Sequence, residues 1–270
     1  MELRDRVIVV TGGGSGIGAA LALRLAAESP AAIVLADLDG AGAHRVAEQV
    51  VAAHPGVAVE DRACDVSAPE EVDRLVAETT ERRGRVDLYC SNAGIGTGAG
   101  IEAPDEVWQR IWDVNLMSHV HATRALLPDW LERGEGHLLI TASAAGLLTN
   151  LGDAPYSVTK HGAVALAEWL SITYGDRGLH VACLCPQGVR TPLLFGDRPE
   201  LEGALAAEVV KAQRIIEPEE VAEATVEGLR DDRFLILPHA EVADYEQARA
   251  NDRERWLGAM RRMQAKLTGR

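Results

Sequence analysis

The stretch Val7-Ile8-Val9-Val10-Thr11-Gly12-Gly13-Gly14-Ser15-Gly16-Ile17-Gly18 decides the fold. Val7–Val10 is β-branched throughout, with no polar alternation. That is the pattern of a strand covered on both faces. From Gly16 to Glu28 the apolar residues Ile17, Leu21 and Leu25 fall at helical spacing. Between strand and helix lie glycines in the order G-x-x-x-G-x-G, at Gly12, Gly16 and Gly18. Glycine permits a tight turn, and the N-terminus of the following helix presents free backbone N–H groups at its positive end. A pyrophosphate is the natural occupant of such a place. Gly18, on the first helical turn, lets helix and strand approach closely. A glycine-rich turn is weak evidence alone; following the first strand and opening the first helix makes it stronger.

Outward from this turn the chain keeps alternating. Strands are expected at Ala32–Ala36, Val57–Ala63, Val86–Cys90, His137–Thr141, Leu179–Cys185 and Phe234–Leu237. Helical patterns cover Ala41–Ala53, Pro69–Arg82, Tyr156–Tyr174, Pro218–Arg230 and Val242–Leu267, and two helices fill 105–133 with a break or bend between them. Alternation at this spacing builds βαβ units. The expected architecture is α/β: a doubly wound parallel sheet of about seven strands with helices on both faces. No linker or repeat interrupts it, so residues 1–270 read as one domain. The irregular stretch at about 191–215 carries Leu193, Leu194 and Phe195 just beyond a strand's carboxyl end, where a substrate lid is expected. A helical extension occupies about 241–267.

Composition narrows the function. The chain of 270 residues carries a formal net charge of −14, which argues against a nucleic-acid partner, since phosphate backbones need clustered Lys and Arg. The apolar runs are too short to cross a bilayer, so no membrane association is expected. Met1–Asp5 runs into a strand-like segment, so no signal peptide is expected. Cys64, Cys90, Cys183 and Cys185 have no CxxC spacing and read as buried free thiols in the reducing cytoplasm.

Asp37 ends the second strand, nineteen residues after Gly18. A carboxylate there accepts hydrogen bonds from an adenosine ribose and repels a 2′-phosphate, so NAD is expected rather than NADP. Asp65, after the third strand, is placed to meet the adenine edge. Tyr156 and Lys160 stand at i and i+4 on one helix and share a face. A free phenol ionises near pH 10, and a neighbouring ammonium favours the phenolate. Tyr156 is then a candidate general base for oxidation and acid for reduction. Ser143 follows a strand end, where its hydroxyl can hold a substrate oxygen.

With Cys64-Asp65-Val66, Asn92-Ala93-Gly94, Asn115 in Val-Asn-Leu, Ser143, Tyr156-Ser-Val-Thr-Lys160 and Pro186–Thr191 following the glycine turn in order, the sequence resembles the short-chain dehydrogenase/reductase family in its compact, single-domain Rossmann-like branch. The match covers nearly the whole chain. Each piece is short, and Tyr-x-x-x-Lys alone is common on helix surfaces; the ordered set is specific. The resemblance implies a catalytic tetrad of Asn115, Ser143, Tyr156 and Lys160, with Asn115 steadying a water in a proton relay to Lys160. It implies a cofactor site of Gly12, Ser15, Gly16, Ile17, Gly18, Asp37, Asp65, Val66, Asn92, Ala93 and Gly94, completed by Tyr156, Lys160, Pro186, Gly188, Val189 and Thr191. It also implies a small-molecule alcohol or ketone substrate, hydrophobic if Ile95, Ala145, Leu193, Leu194 and Phe195 form its wall, and a homo-oligomer, dimer or tetramer.

Two features depart from the family. Gln187 replaces the glycine that usually follows the proline of Pro186–Thr191. The chain ends not in a glycine-rich strand but in helix-prone residues with Tyr245, Trp256, Met260 and Met263 as an apolar stripe, read as core packing or, more sharply, a subunit contact. His119, His121 and His161 lack the i, i+4 pair with a carboxylate that marks a metal site, and no metal is expected. The alternative to an enzyme is a nucleotide-binding sensor or scaffold on the same fold, which an impaired tetrad would favour. Epimerisation or dehydration of a nucleotide sugar is a third reading, for which the chain has little room.

Overall fold

The computed structural model describes residues 1–195, 205, 208–209 and 213–269. In chain order the strands are β1 (Val7–Thr11), β2 (Ala32–Asp37), β3 (Ala58–Ala63), β4 (Leu88–Ser91), β5 (Gly136–Thr141), β6 (Leu179–Leu184), β7 (Gly188–Val189), β8 (Ile215–Ile216) and β9 (Leu235–Ile236). The helices are α1 (Gly16–Ala26), α2 (Gly40–Ala53), α3 (Pro69–Arg83), α4 (Asp105–Trp112), α5 (Ser118–Arg133), α6 (Ala144–Leu148), α7 (Ala154–Tyr174), α8 (Pro192–Phe195), α9 (Pro218–Arg230), α10 (Glu241–Asn251) and α11 (Arg253–Leu267). A π-helical turn, Asp113–Met117, joins α4 to α5 and is the bend expected between them.

Seven strands form one parallel sheet in the order β3-β2-β1-β4-β5-β6-β9; β7 and β8 make a separate two-stranded pair. Helices cover both faces, so the architecture is Rossmann-like, as the alternation predicts. Alternate residues of the central strands feed two cores. Val9, Tyr89 and Leu138 pack under Leu75, Trp130 and Leu170 of α3, α5 and α7. Ile8, Val10 and Leu139 pack under Leu21, Val50 and Val226 of α1, α2 and α9. Fully burying one such side chain stabilises the fold by roughly 1.5–3 kcal/mol. Because β1 has β2 on one side and β4 on the other, the winding reverses there. The connections leaving the two carboxyl ends diverge and open a crevice.

The C-terminal expectation needs correction. Val242–Leu267 is two helices, not one, broken at Asp252 (φ −148°, ψ 90°). The Asp252 carboxylate accepts the Arg255 N–H at 2.9 Å. Apolar periodicity runs through the break, but an Asp that can cap a new helix gains that hydrogen bond by leaving the old one. The expected lid at about 191–215 lies largely outside the described residues; the described part holds α8 and β8. Among the described residues no helix is long and apolar enough to cross a membrane.

Candidate active site

The crevice beside β1 is the mouth of one cleft of about 820 Å³. One half is built by the glycine turn. Gly12 (φ +65°) and Gly16 (φ +52°) have left-handed backbones that other residues adopt only with strain. A Cβ on Gly18 would lie 2.0 Å from the Gly12 carbonyl oxygen, so strand and helix meet there backbone to backbone. Gly12, Ser15, Gly16 and Ile17 line the cleft; Gly18 is buried behind them and shapes it. Asp37 lines the same half. Its Oδ2 accepts the Gly14 N–H and its Oδ1 the Asp39 N–H, both at 2.9 Å, which fixes the carboxylate at the turn's edge. Asp65 and Val66 follow along the wall. Asp65 Oδ1 accepts from Ser67, and Oδ2 faces Arg110 at 3.3 Å. Those contacts hold its carboxyl below the usual range against the opposing effect of burial, the largest single influence on it.

Asn92, Ala93 and Gly94 leave β4 along the cleft floor. Asn92 ties three strand ends together: its Nδ2 donates to the Thr11 carbonyl (3.0 Å) and its Oδ1 accepts from Thr141 Oγ1 (3.1 Å). A point built off Gly94 where a Cβ would sit is 3.4 Å from both Asn115 Oδ1 and Lys160 Nζ. Side-chain-free space therefore lies at the junction of the two halves. Asn115 itself is fully buried in the π-helical turn and does not line the cleft. Its Oδ1 accepts the Ile95 N–H and its Nδ2 donates to the Ile95 carbonyl, both at 2.8 Å. The amide acts as a substitute strand for the loop after β4.

The second half holds the reactive side chains. Ser143 caps α6: its Oγ accepts the Ala145 N–H (3.0 Å) and donates to the Pro186 carbonyl (3.4 Å). Asp153 caps α7, a helix that begins two residues before the expected Tyr156. Asp153 is buried and accepts from Tyr156 N–H, Thr97 N–H, Thr97 Oγ1 and Gly98 N–H. It thereby fixes the backbone at Tyr156. Lys160 is buried, donates to the Thr141 carbonyl at 2.8 Å, and lies 5.7 Å from the centroid of the Tyr156 ring. Burial dominates both groups: the Lys160 ammonium is pushed down to about 8 and the Tyr156 phenol up to about 12, with the Ser143 hydroxyl working against that rise. In the chain by itself, then, the phenol is raised by burial and not lowered as its place beside Lys160 predicts.

Pro186, Gln187, Val189 and Thr191 border the cleft, while Gly188 is buried behind it in β7. Gln187 donates its N–H to His239 Nδ1 at 3.2 Å, a contact that fixes the backbone where the family has glycine. Ile95, Ala145, Leu193 and Leu194 form an apolar wall. Phe195, expected on that wall, is not on it; it is 41% exposed, with the Arg190 guanidinium 5.2 Å from its ring centroid. Tyr245, Trp256, Met260 and Met263, read as core or subunit contact, line the cleft. Their periodicity shows which residues share a face; nothing local shows what that face meets.

Among the described residues, His137, His180 and Asp232 bring ligand-type atoms within 4.8 Å of one another. The two imidazoles are stacked, 4.6 Å apart and 16° from parallel, so their in-plane lone pairs do not converge on one ion.

A crevice at the winding reversal, a glycine cradle at its helix N-terminus, and a Ser–Tyr–Lys group across from it define a nucleotide-binding oxidoreductase. The chain matches the short chain dehydrogenase family over residues 6–201 and belongs to it. It is 35% identical over 246 residues to 1-deoxy-11-beta-hydroxypentalenate dehydrogenase of Streptomyces exfoliatus, covering 90% of this chain and 86% of that one. It is 30% identical over 245 residues to cyclohexanol dehydrogenase of an Acinetobacter strain, covering 90% and 95%. A crystal structure of a short-chain dehydrogenase from Burkholderia phymatum in complex with NAD superposes with a TM-score of 0.85 at 29% identity, covering 94% and 96% of the two chains.

Proposed function

We propose that the protein is an NAD-dependent dehydrogenase/reductase that interconverts an apolar secondary alcohol and its ketone, with Tyr156 as general acid and base. The observation that carries this reading is the meeting of Ser143, Tyr156 and Lys160 in the same cleft as the glycine cradle. The cradle fits a dinucleotide: Gly12, Ser15, Gly16 and Ile17 line the cleft at the N-terminus of α1, and the Asp37 carboxylate stands at its edge for a ribose. When bound, the nicotinamide supplies or accepts the hydride.

The chain's own groups do the rest. Ser143 Oγ donates to the substrate oxygen and holds it against the Tyr156 phenol. With its phenol raised by burial, Tyr156 is protonated at neutral pH and gives its proton to the oxygen of a ketone being reduced. In oxidation the same oxygen takes the proton from the alcohol. Lys160, anchored on the Thr141 carbonyl, favours the phenolate that reduction leaves behind. Asn115 serves the site by fixing Ile95 and the open space at Gly94, where a water can join Asn115 and Lys160. Four free buried cysteines support a cytoplasmic setting.

Titration with NADH and, separately, NADPH comes first, followed through tryptophan and nicotinamide emission. Preference for NADH supports the Asp37 reading; preference for NADPH overturns it and leaves the reaction class standing. Tyr156→Phe should then keep NADH affinity within about twofold and lose on the order of 10³-fold or more in kcat, since the proton has no other donor. A Phe variant as active as wild type sinks the assignment. A wild type that binds NADH but turns over no alcohol or ketone favours a nucleotide sensor.

A further inference from the structure

The C-terminal helix pair carries more than the family's chemistry requires. On α11, Trp256, Met260 and Met263 stand at i, i+4 and i+7 and so form one stripe. Arg255, Arg261, Arg262 and Lys266 are exposed. No residue of α11 is fully buried. Trp256 rests against the edge of the core, and the whole stripe, joined by Tyr245 of α10, forms part of the cleft wall. An amphipathic helix that turns its apolar side to a cavity leaves that side's burial incomplete. An apolar body entering the cleft completes it.

Charge on the remaining walls narrows the body further. Arg110 is paired with Asp65 and Arg214 with Glu220, each at 3.3 Å. Lys160 is committed to Thr141, and the Asp153 carboxylate already accepts four hydrogen bonds. Glu241, at the start of α10, also borders the cleft and opposes an anion. Thioethers are flexible and polarisable, so Met260 and Met263 can mould themselves to rings of differing outline.

We propose that Tyr245, Trp256, Met260 and Met263 form a substrate wall that selects uncharged, multi-ring alcohols or ketones over single-ring and carboxylate-bearing ones. This rests on the oxidoreductase reading above and assigns its specificity to the α10–α11 pair. A small ring bound at Ser143 and Tyr156 gains little from α11, whereas a fused-ring body spans the cleft and covers the stripe.

The test uses the full-length enzyme with trans-1-decalone, its carboxylate-bearing analogue and cyclohexanone. Wild type should reduce the decalone with a kcat/KM at least tenfold above the other two. In Trp256→Ala and in Met260→Ser/Met263→Ser, the decalone-to-cyclohexanone ratio should fall at least tenfold, chiefly through the decalone KM, and Met260→Leu/Met263→Leu should restore most of it. Equal losses on both ketones, or an unchanged ratio, overturn the wall. Wild type that reduces cyclohexanone but not the decalone overturns the wall and leaves the oxidoreductase reading intact. Decalone binding is also followed by tryptophan emission, comparing wild type with Trp256→Phe. If NADH binds and neither ketone is reduced, the oxidoreductase reading fails. In that case an identical decalone response in Trp256→Phe removes the wall as well.

Discussion

His119 and His137 show how single buried groups tie this fold to pH. His119 is fully buried at the start of α5, with Nδ1 2.6 Å from Ser91 Oγ. Burial, with Lys160 nearby, pushes it down to about 3. His137 in β5 is pushed down to about 4 by burial and by the stacked His180. Both are therefore neutral in the folded protein at any pH above about 5, whereas in the unfolded chain they take up protons below about 6.5. The unfolded state thus binds more protons across that interval, so the contribution is fully present above pH 6.5 and is lost as pH falls toward 4. The slope is about 1.4 kcal/mol per pH unit for each histidine. Urea midpoints should change little between pH 7.5 and 7, below the range where Lys160 titrates, and drop steeply between pH 6 and 4.5. His119→Asn, whatever its effect on absolute stability, should remove about half the slope. A midpoint at pH 5 equal to that at pH 7.5 overturns the account.

At the level of elements, α6 and α7 are set against each other through one glycine. A Cβ on Gly146 would lie 2.4 Å from the Lys160 carbonyl oxygen, a backbone atom with nowhere to go. Ser143 caps α6 while Tyr156 and Lys160 ride on α7, so the spacing of the helices is also the spacing of the proposed acid and its partner. Gly146→Ala should cost about 1–3 kcal/mol, as overpacking generally does. In kinetics it should lower kcat much more than it weakens NADH binding, because the cradle at α1 is distant in the sheet. Denaturation with steady-state kinetics decides it; an Ala variant with wild-type kcat shows that the helices separate without consequence for the site. The glycine's role was not legible in Thr-Ala-Ser-Ala-Ala-Gly, which reads equally well as a loop. What was legible is what local spacing determines: the strand–turn–helix start, the Tyr156–Lys160 pair, and apolar faces of period two or about four. Partners that are main-chain atoms far along the chain leave no such trace, as with Lys160 on Thr141 or Asn115 on Ile95. The break at Asp252 was obscured because the same apolar stripe resumes after it.

For the molecule as a whole, the outer side of α7 poses the remaining question. Val158, Trp169 and Ile172 are 48%, 54% and 84% exposed. At about 100° per residue they fall within roughly 60° of arc, on one side of the helix. Trp169 stands edge-on to Tyr174 at 5.8 Å, and Tyr174 is covered by the Arg177 guanidinium, so the aromatic end of the face is pre-ordered. Trp112 is 40% exposed as well. The homo-oligomer that the family resemblance implies would give this face an occupant: two α7 helices crossing about a twofold axis would present it to itself, each residue meeting its own counterpart or a near neighbour. Light scattering at micromolar concentration should then give a dimer or tetramer, and Ile172→Glu should shift it to the monomer by placing like charges across the axis. A monomeric wild type overturns this reading. Salt gives a second check, because each copy carries a formal net charge of −14. If apolar contact holds the copies together against that repulsion, screening strengthens the association, and the dissociation constant falls as salt rises from 20 to 300 mM. A constant that rises over the same range means that ion pairs, not the α7 face, hold the assembly.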